Sequence, residues 1–293
     1  MGARRLWQLI WIPVALIVSA CDSGLTTSGE TATATAPAAI PTPTAAAPAA
    51  ESEALREVVA ESLAYAEVGE QLVHGHFAFP ADMVDPLPGI IVIHERWGLD
   101  DGTRQLAERL AGNGYIVLAV DLYGGQTAAD VAAARTLMVN VVENPDLANE
   151  NIRQAYDFLK NSALSPTIGA VGWSFGGNWA LNTALLYPDD LGAAVVYYGQ
   201  LPSNEERLAP LNVPVLGLFG ENDRGVTVET VREFEGVMET LGKNFQVEVY
   251  PGVGHAFADP TGSNYHPRVA AEAWEEVTRF LHANLDGNNL GVE

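Results

Sequence analysis

The sequence is poor in basic residues and in cysteine. It holds 15 lysine and arginine residues against 37 aspartate and glutamate residues, which gives a formal net charge of -22 at pH 7. A chain this acidic repels phosphate backbones and anionic lipid surfaces, so nucleic-acid binding is not expected. The histidines and the single cysteine form no cluster with the spacing of metal ligands, so we predict neither a metal nor an organic cofactor.

Long hydrophobic runs are also lacking, and the N-terminus has the order of a secretory signal. Two arginines precede an apolar run at residues 6–18, which is shorter than the roughly 20 residues of a membrane-spanning helix. The one cysteine, Cys21, follows the tripeptide VSA, and this segment resembles the bacterial lipobox. The resemblance implies cleavage before Cys21, a lipid on its thiol, and a membrane-anchored protein of the bacterial cell envelope, outside the cytoplasm. A secreted protein with a stray cysteine is the alternative.

The chain divides by composition. Residues 1–20 form the predicted lipoprotein signal peptide, and residues 21–50 are rich in threonine, alanine and proline. Such a segment cannot bury enough apolar surface to offset its ordering entropy, so we predict a disordered tether. Residues 51–285 have periodic hydrophobic patterns with no repeat or second linker, which favours one domain. We also predict a monomer. Residues 286–293 form a C-terminal tail.

Apolar runs alternate with amphipathic segments along that domain. The runs predict strands that are buried on both faces, at residues 90–93, 115–120, 168–173, 193–197, 213–219 and 245–250. Helical periodicity lies between them, at residues 103–113, 128–142, 146–161, 175–187, 226–241 and 267–283. This alternation predicts an α/β fold with a mostly parallel central sheet and helices on both faces. Residues 71–79 alternate apolar and polar side chains and predict an antiparallel edge strand.

The stretch AVGWSFGGN contains a serine, Ser174, in the pattern G-x-S-x-G. It follows a predicted strand and begins a predicted helix, which is the context of a nucleophile elbow. A serine nucleophile needs a base, and the base needs an orienting acid. Asp223 and His255 each follow a later strand, in the order that an α/β-hydrolase requires. The alternatives are a turn or helix-cap role for Asp223, with Glu221 as the acid, and a surface or core role for His255.

A second loop, HERWG, follows the predicted strand at residues 90–93. An α/β-hydrolase places one oxyanion donor in such an early loop, beside the amide that follows the serine. The predicted donors are the backbone N–H groups of Arg96 and Phe175. Trp97 and Trp173 flank this region and are predicted to line a substrate pocket, with core positions as the alternative.

Five segments, in order, resemble the dienelactone hydrolase family: VIHERWGL, GYIVLAVDLYGG, VGWSFGG, GENDRGV and PGVGHAFAD. The resemblance covers about residues 69–281 and implies the α/β-hydrolase fold. It further implies a hydrolase that cleaves carboxylic esters or lactones through an acyl-enzyme. Glu95 then corresponds to a glutamate that lies close to the nucleophile. From the residues alone, Glu95 could equally be a loop carboxylate paired with Arg96 or Arg104.

Two positions depart from the pattern of that family. Ser174 stands where dienelactone hydrolases proper have a cysteine, and Asp259 stands where they hold the substrate carboxylate with an arginine. A carboxylate at that position would repel an anionic dienelactone, so neutral esters or lactones are the predicted substrates. Two other functions remain open: a non-catalytic binding lipoprotein on a hydrolase scaffold, and a peptidase with the same three residues.

Overall fold

The computed structural model describes residues 55–286. The predicted signal peptide at residues 1–20, the tether at 21–50 with its lipidation site Cys21, and all of the tail beyond residue 286 lie outside that range. Among the described residues, no helix has both the length and the apolar character needed to cross a membrane.

The described part of the chain contains one sheet of eight strands in the order β1-β2-β4-β3-β5-β6-β7-β8. The strands from β3 to β8 pair in parallel, whereas β2 pairs antiparallel with both β1 and β4. The mostly parallel sheet and all six of its predicted parallel strands are therefore confirmed. The bounds are β1 Val58–Val68, β2 Gln71–Pro80, β3 Gly89–Ile93, β4 Ile116–Val120, β5 Ile168–Trp173, β6 Ala193–Tyr197, β7 Val215–Gly220 and β8 Phe245–Tyr250.

Helices cover both faces of this sheet, as the alternation predicts. Side chains of a strand point alternately to opposite faces, so Ile91 and Ile93 of β3 belong to one hydrophobic cluster and Ile90 and Val92 to another. The helices are α1 Asp101–Gly112, α2 Val131–Glu143, α3 Pro145–Asp157, α4 Phe175–Leu186, α5 Glu205–Leu208, α6 Val228–Thr240 and α7 Pro267–Leu285, with a π-helical turn at Phe158–Ser162 after α3. The first cluster is completed mainly by α3, α4 and α6, and the second by α1 and α7.

Two predictions about the sheet edges were wrong. Residues 71–79 are antiparallel but do not form the edge, because β1 covers β2 on its outer side. Most side chains of β1 are exposed, so its sequence lacks the apolar run that marks the inner strands. β8, predicted to be buried on both faces, alternates between half-buried and exposed residues because it lies at the other edge of the described sheet, next to β7.

Candidate active site

The turn between β5 and α4 holds Ser174 in a strained conformation. Its φ of 52° and ψ of -113° lie outside the regions that residues with a Cβ normally occupy. The flanking glycines leave room for this turn. A Cβ at Gly172 would lie 2.0 Å from the carbonyl oxygen of Gly176, and one at Gly176 would lie 2.1 Å from that of Ile93. The turn therefore has the geometry of a nucleophile elbow, with both glycines required by close backbone approach.

The structure brings the three residues of the predicted triad together. The Oγ of Ser174 lies 2.9 Å from Nε2 of His255, and Nδ1 of His255 lies 2.7 Å from Oδ2 of Asp223. The other carboxylate oxygen of Asp223 accepts hydrogen bonds from the backbone N–H groups of Gly225 at 2.7 Å and Val226 at 3.0 Å. Asp223 therefore orders the loop after β7 and orients the histidine with the same carboxylate.

Glu221, the alternative candidate for the acid that orients His255, pairs with a backbone amide instead of the imidazole. Its carboxylate accepts a hydrogen bond from the backbone N–H of Gly252 at 2.9 Å. Glu221 is exposed, whereas the side chain of Asp223 is fully buried against the half-exposed His255. Of the two carboxylates, Asp223 is the one that contacts the imidazole.

The surroundings of Asp223 determine the proton positions in this chain of groups. Burial by itself would raise the pKa of Asp223, but the hydrogen bond with His255 and those from Val226 and Gly225 together lower it below its ordinary value. The carboxylate is therefore ionised near neutral pH and accepts a hydrogen bond from Nδ1–H of the imidazole. In the neutral imidazole with its proton on Nδ1, Nε2 is free to accept and faces the Ser174 hydroxyl, which is the arrangement that a general base requires.

The two predicted oxyanion donors lie on adjoining segments. Phe175 is the first residue of α4, so its amide N–H has no acceptor within the helix. Arg96 lies in the loop between β3 and α1, and its amide N–H donates to no other group among residues 55–286. The backbone of Gly176 passes so close to the carbonyl oxygens of Ile93 and His94 that it leaves no space for a Cβ. The start of α4 and the β3–α1 loop are thus packed against each other beside Ser174.

Glu95 lies in that loop in an environment that disfavours its charge. Burial raises its pKa to about 7, and the negative charge of Asp259 acts in the same direction. The positive charge that His255 carries when it is protonated, a hydrogen bond from the hydroxyl of Tyr198 and the charge of Arg96 oppose this shift only in part. The Tyr198 hydroxyl lies 3.2 Å from Oε1 of Glu95. Glu95 therefore carries a proton for part of the time near neutral pH.

The alternative in which Glu95 forms an ion pair with a neighbouring arginine is not what the structure shows. Among the described residues, Glu95 forms no salt bridge with Arg96 or Arg104. The Arg104 guanidinium lies 3.4 Å from the carboxylate of Asp101, and the Arg96 guanidinium lies over the ring of Trp97, 4.7 Å from its centroid.

Comparison with known proteins identifies the family. Residues 73–285 match the Dienelactone hydrolase family. The chain belongs to this family. Membership confirms the predicted α/β-hydrolase fold and the predicted class of enzyme, a hydrolase acting on ester bonds.

Individual similar proteins show how broad the likeness is. Protein usf of Aquifex pyrophilus is 31% identical over 205 residues, which are 68% of this chain and 89% of the relative. A dienelactone hydrolase-like promiscuous phosphotriesterase from metagenomic libraries superposes with a TM-score of 0.71 at 24% identity, over 78% of this chain and 98% of the other. The thermophilic esterase 2 of Thermogutta terrifontis superposes with a TM-score of 0.56 at 21% identity, over 76% and 92% of the two chains.

Tyr198 is a residue of the site that the sequence analysis missed. It follows β6, is fully buried, and has a φ of 39°, which is unusual for a residue with a Cβ. Its ring packs edge-on against the imidazole of His255, with 5.1 Å between the ring centroids, and its hydroxyl donates to Glu95. The only signal in the sequence is its position at the end of a buried strand, as for the catalytic candidates.

A cavity beside the triad is lined by both predicted tryptophans. Trp97 and Trp173 share its wall with Glu95, Tyr198 and Asp259. The cavity therefore combines aromatic surfaces with two carboxyl groups. Among residues 55–286, no group of three or more histidine, cysteine, aspartate and glutamate side chains is arranged to hold a metal ion.

The two tryptophans differ in their packing. Trp173 is nearly fully buried and stacks on Tyr197 at 5.2 Å, so it belongs to the core and also contributes to the cavity wall. Trp97 is more exposed. Asp259 is fixed by hydrogen bonds that its carboxylate accepts from the backbone N–H and the hydroxyl of Thr261, at 2.8 and 2.7 Å. Its carboxylate is a fixed part of the cavity.

Proposed function

We propose that the protein is a serine esterase that cleaves carboxylic esters or lactones through an acyl-enzyme on Ser174. The proposal is supported chiefly by two hydrogen bonds, one between the Ser174 hydroxyl and His255 and one between His255 and the buried Asp223. His255 takes the hydroxyl proton as Oγ attacks the ester carbonyl, and it returns that proton to the leaving alkoxide. Water, deprotonated by the same imidazole, then cleaves the acyl-enzyme and regenerates Ser174.

The developing negative charge on the carbonyl oxygen needs donors that are already in place. In this proposal the backbone N–H groups of Phe175 and Arg96 supply them, since Phe175 directly follows Ser174, Arg96 lies in the loop packed against the start of α4, and neither amide donates to another group among residues 55–286. Asp223 stays ionised and stabilises the imidazolium that forms during attack.

The substrate is a neutral ester or lactone. Asp259 and Glu95 both face the cavity, and an anionic substrate would be repelled by the fixed carboxylate of Asp259. It would also hold Glu95 in its protonated form, because a further negative charge raises the pKa of a carboxyl group. Trp97 and Trp173 provide the apolar surface on which an acyl or alcohol group packs.

The protein acts outside the cytoplasm, as a monomer that is anchored by a lipid on Cys21. The support for this part lies in the sequence: basic residues, a short apolar run and small residues precede the only cysteine, and a tether rich in threonine, alanine and proline follows it. The tether holds the hydrolase domain away from the membrane.

The test compares Ser174→Ala with Ser165→Ala in fluorophosphonate labelling and in ester hydrolysis. Ser165 is a matched control because it is a buried serine whose Oγ has no hydrogen-bond partner among the described residues. We expect Ser174→Ala to lose labelling and to lower kcat by a factor of about 10⁴ or more, while Ser165→Ala retains both. The substrates are nitrophenyl esters of increasing chain length, a neutral lactone and an anionic dienelactone, and we expect the neutral compounds to be preferred.

Labelling that survives Ser174→Ala would overturn the proposed nucleophile. A preference for the anionic dienelactone would overturn the proposed substrate class. Wild-type protein that hydrolyses no ester, but whose melting temperature rises with a ligand, would favour the binding lipoprotein. Faster cleavage of amides than of matched esters would favour the peptidase.

A further inference from the structure

His94 is a fully buried histidine that the proposed mechanism does not use. It follows β3 directly and precedes Glu95 and Arg96 in the chain. A buried polar side chain is costly unless its hydrogen-bonding groups find partners. Both ring nitrogens of His94 have one.

These partners fix the tautomer of the ring. Nδ1 lies 2.6 Å from the carbonyl oxygen of Glu95, which can only accept, so Nδ1 carries the proton. Nε2 lies 3.1 Å from the backbone nitrogen of Leu122, whose N–H can only donate, so Nε2 is unprotonated. Burial lowers the pKa of His94, which agrees with a neutral ring. His94 is thus a neutral imidazole with one orientation and one proton position.

The acceptor of His94 belongs to the peptide group that supplies a predicted oxyanion donor. The carbonyl of Glu95 and the N–H of Arg96 are parts of one trans peptide, in which the two bonds point in opposite directions. When Nδ1–H of His94 holds that carbonyl, the N–H of Arg96 must point away from the ring. The amide of Gly98 adds a second, longer hydrogen bond to the same carbonyl at 3.3 Å. Hydrogen bonds donated to a peptide carbonyl also polarise its N–H and strengthen it as a donor.

The ring of His94 also contacts the residue with the other predicted donor. It stacks on the ring of Phe175, with a centroid separation of 6.2 Å and an angle of 26°. Tyr123 packs edge-on against His94 at 4.5 Å, and its hydroxyl donates to the carbonyl oxygen of Arg96 at 3.3 Å. The two peptide groups around Arg96 are therefore each held by a side chain.

The loop after β4, which donates to Nε2 of His94 through the amide of Leu122, is itself held by hydrogen bonds. Asp121, which precedes Leu122, accepts hydrogen bonds from the backbone N–H groups of Tyr123 and Gly125. The carbonyl of Asp121 accepts one from Nδ2 of Asn151 at 2.9 Å. The position of His94 is thus set by the loop after β4 and by α3, outside the catalytic groups.

We propose that His94 is a positioning residue for the oxyanion hole: its Nδ1–H holds the Glu95–Arg96 peptide so that the Arg96 N–H faces the carbonyl oxygen that Ser174 attacks. The inference rests on the proposed esterase function. It assigns to His94 a share of transition-state binding and none of substrate binding, because His94 is not among the described residues that line the cavity and reaches the site only through the backbone of Glu95.

The first experiment compares His94→Leu, which removes both hydrogen bonds, with His94→Asn, whose Nδ2–H can take the place of Nδ1–H. We expect His94→Leu to lower kcat by about 10- to 100-fold, below the 10²- to 10³-fold loss of a complete oxyanion donor, with KM changed less than about threefold. The affinity for a boronic acid that forms a tetrahedral adduct should fall by the same factor as kcat. His94→Asn should recover most of both losses.

The matched control is His76→Leu. His76 is also a buried histidine and pairs with Glu108 at 2.9 Å, away from the nucleophile. It should change the melting temperature but leave kcat and boronic-acid affinity within about twofold. The proposal is overturned if His94→Leu retains kcat within about twofold, if kcat falls without loss of boronic-acid affinity, or if His94→Asn is no better than His94→Leu. If His94→Leu does not fold, His94→Gln replaces it, because the longer amide reaches the Nε2 position and leaves the Glu95 carbonyl with only the longer hydrogen bond from Gly98 among the described residues.

The second experiment needs neither a variant nor activity. Imidazole ¹⁵N chemical shifts of the wild-type protein report which ring nitrogen carries the proton. We expect a neutral His94 with its proton on Nδ1 and slow exchange of that proton with solvent. A proton on Nε2 would overturn the inference. Wild-type protein with the expected tautomer but without any esterase activity would instead contradict the proposed function.

Discussion

At the scale of single residues, Glu95 is the group whose state depends most on pH. Its pKa is raised from 4.5 to about 7, first by burial and then by the charge of Asp259. The folded protein therefore holds this proton more tightly than the unfolded chain. The resulting loss of stability is absent below about pH 4.5, grows as the pH rises towards 7, and is complete above that value.

We predict that Glu95→Gln removes this dependence. A neutral amide of the same shape still accepts the hydrogen bond of Tyr198 but never acquires the buried charge. The free energy of unfolding of the variant should match that of the wild type at about pH 4 and exceed it by about 2–3 kcal/mol at about pH 8. Urea unfolding across that pH range measures the difference.

Asp259→Asn is the companion variant. Because the charge of Asp259 raises the pKa of Glu95, its removal should bring that pKa closer to 4.5. The loss of stability should then be complete at a lower pH than in the wild type, and it should be smaller. A constant difference between Glu95→Gln and wild type at every pH would contradict this assignment.

The residues of the site differ in how far the sequence could predict them. Ser174, Asp223 and His255 each come after a buried strand, and the carboxyl ends of parallel strands meet at one edge of the sheet. Their proximity was therefore predictable. The contact of Tyr198 with Glu95 and the two hydrogen bonds of His94 were not, because they depend on which loops are packed together and on how deeply each group is buried.

At the scale of elements, the elbow depends on close approach between β5, α4 and the end of β3. Gly176 lies in the first turn of α4, where an added Cβ would contact the carbonyl oxygens of Ile93 and His94 at 2.1 and 2.6 Å. These contacts are with backbone, which cannot rotate away as a side chain can. A larger residue must displace either the helix or the β3–α1 loop that carries Arg96.

We predict that Gly176→Ala lowers the free energy of unfolding by about 3 kcal/mol or more and abolishes fluorophosphonate labelling of Ser174. The matched control is Gly236→Ala in α6, where an added Cβ meets nothing within 4 Å. It should stabilise the protein by about 0.5–1 kcal/mol and leave labelling unchanged. Equal effects of the two substitutions would contradict the packing described for the elbow.

The strands also differ in how far their local sequence patterns predict them. The parallel strands could be predicted because continuous runs such as IIVI and AVVY are buried on both faces. β1 could not, since only a few of its side chains are buried and its order in the sheet is set by pairing with β2. Edge position is a property of the assembled sheet and leaves little trace in a short segment.

At the scale of the whole molecule, the residues proposed for catalysis all lie between positions 94 and 255, far along the chain from Cys21. The proposed anchor and the proposed chemistry should therefore be separable. We predict that Cys21→Ser abolishes incorporation of a labelled fatty acid and releases the protein from the membrane fraction, without changing kcat/KM for a soluble nitrophenyl ester. A wild-type protein that takes up no fatty acid, or a variant that stays in the membrane fraction, would contradict the proposed anchor.

The central claim is that an acyl group passes through Ser174, and rapid quenching of the reaction with a nitrophenyl ester tests it most directly. Mass spectrometry of the digested protein should show one acyl group on the peptide that contains Ser174, formed as fast as the first equivalent of nitrophenol is released. The adduct should be absent from Ser174→Ala and present in Ser165→Ala. Turnover without an acyl group on Ser174, or with the acyl group on another residue, would contradict the account.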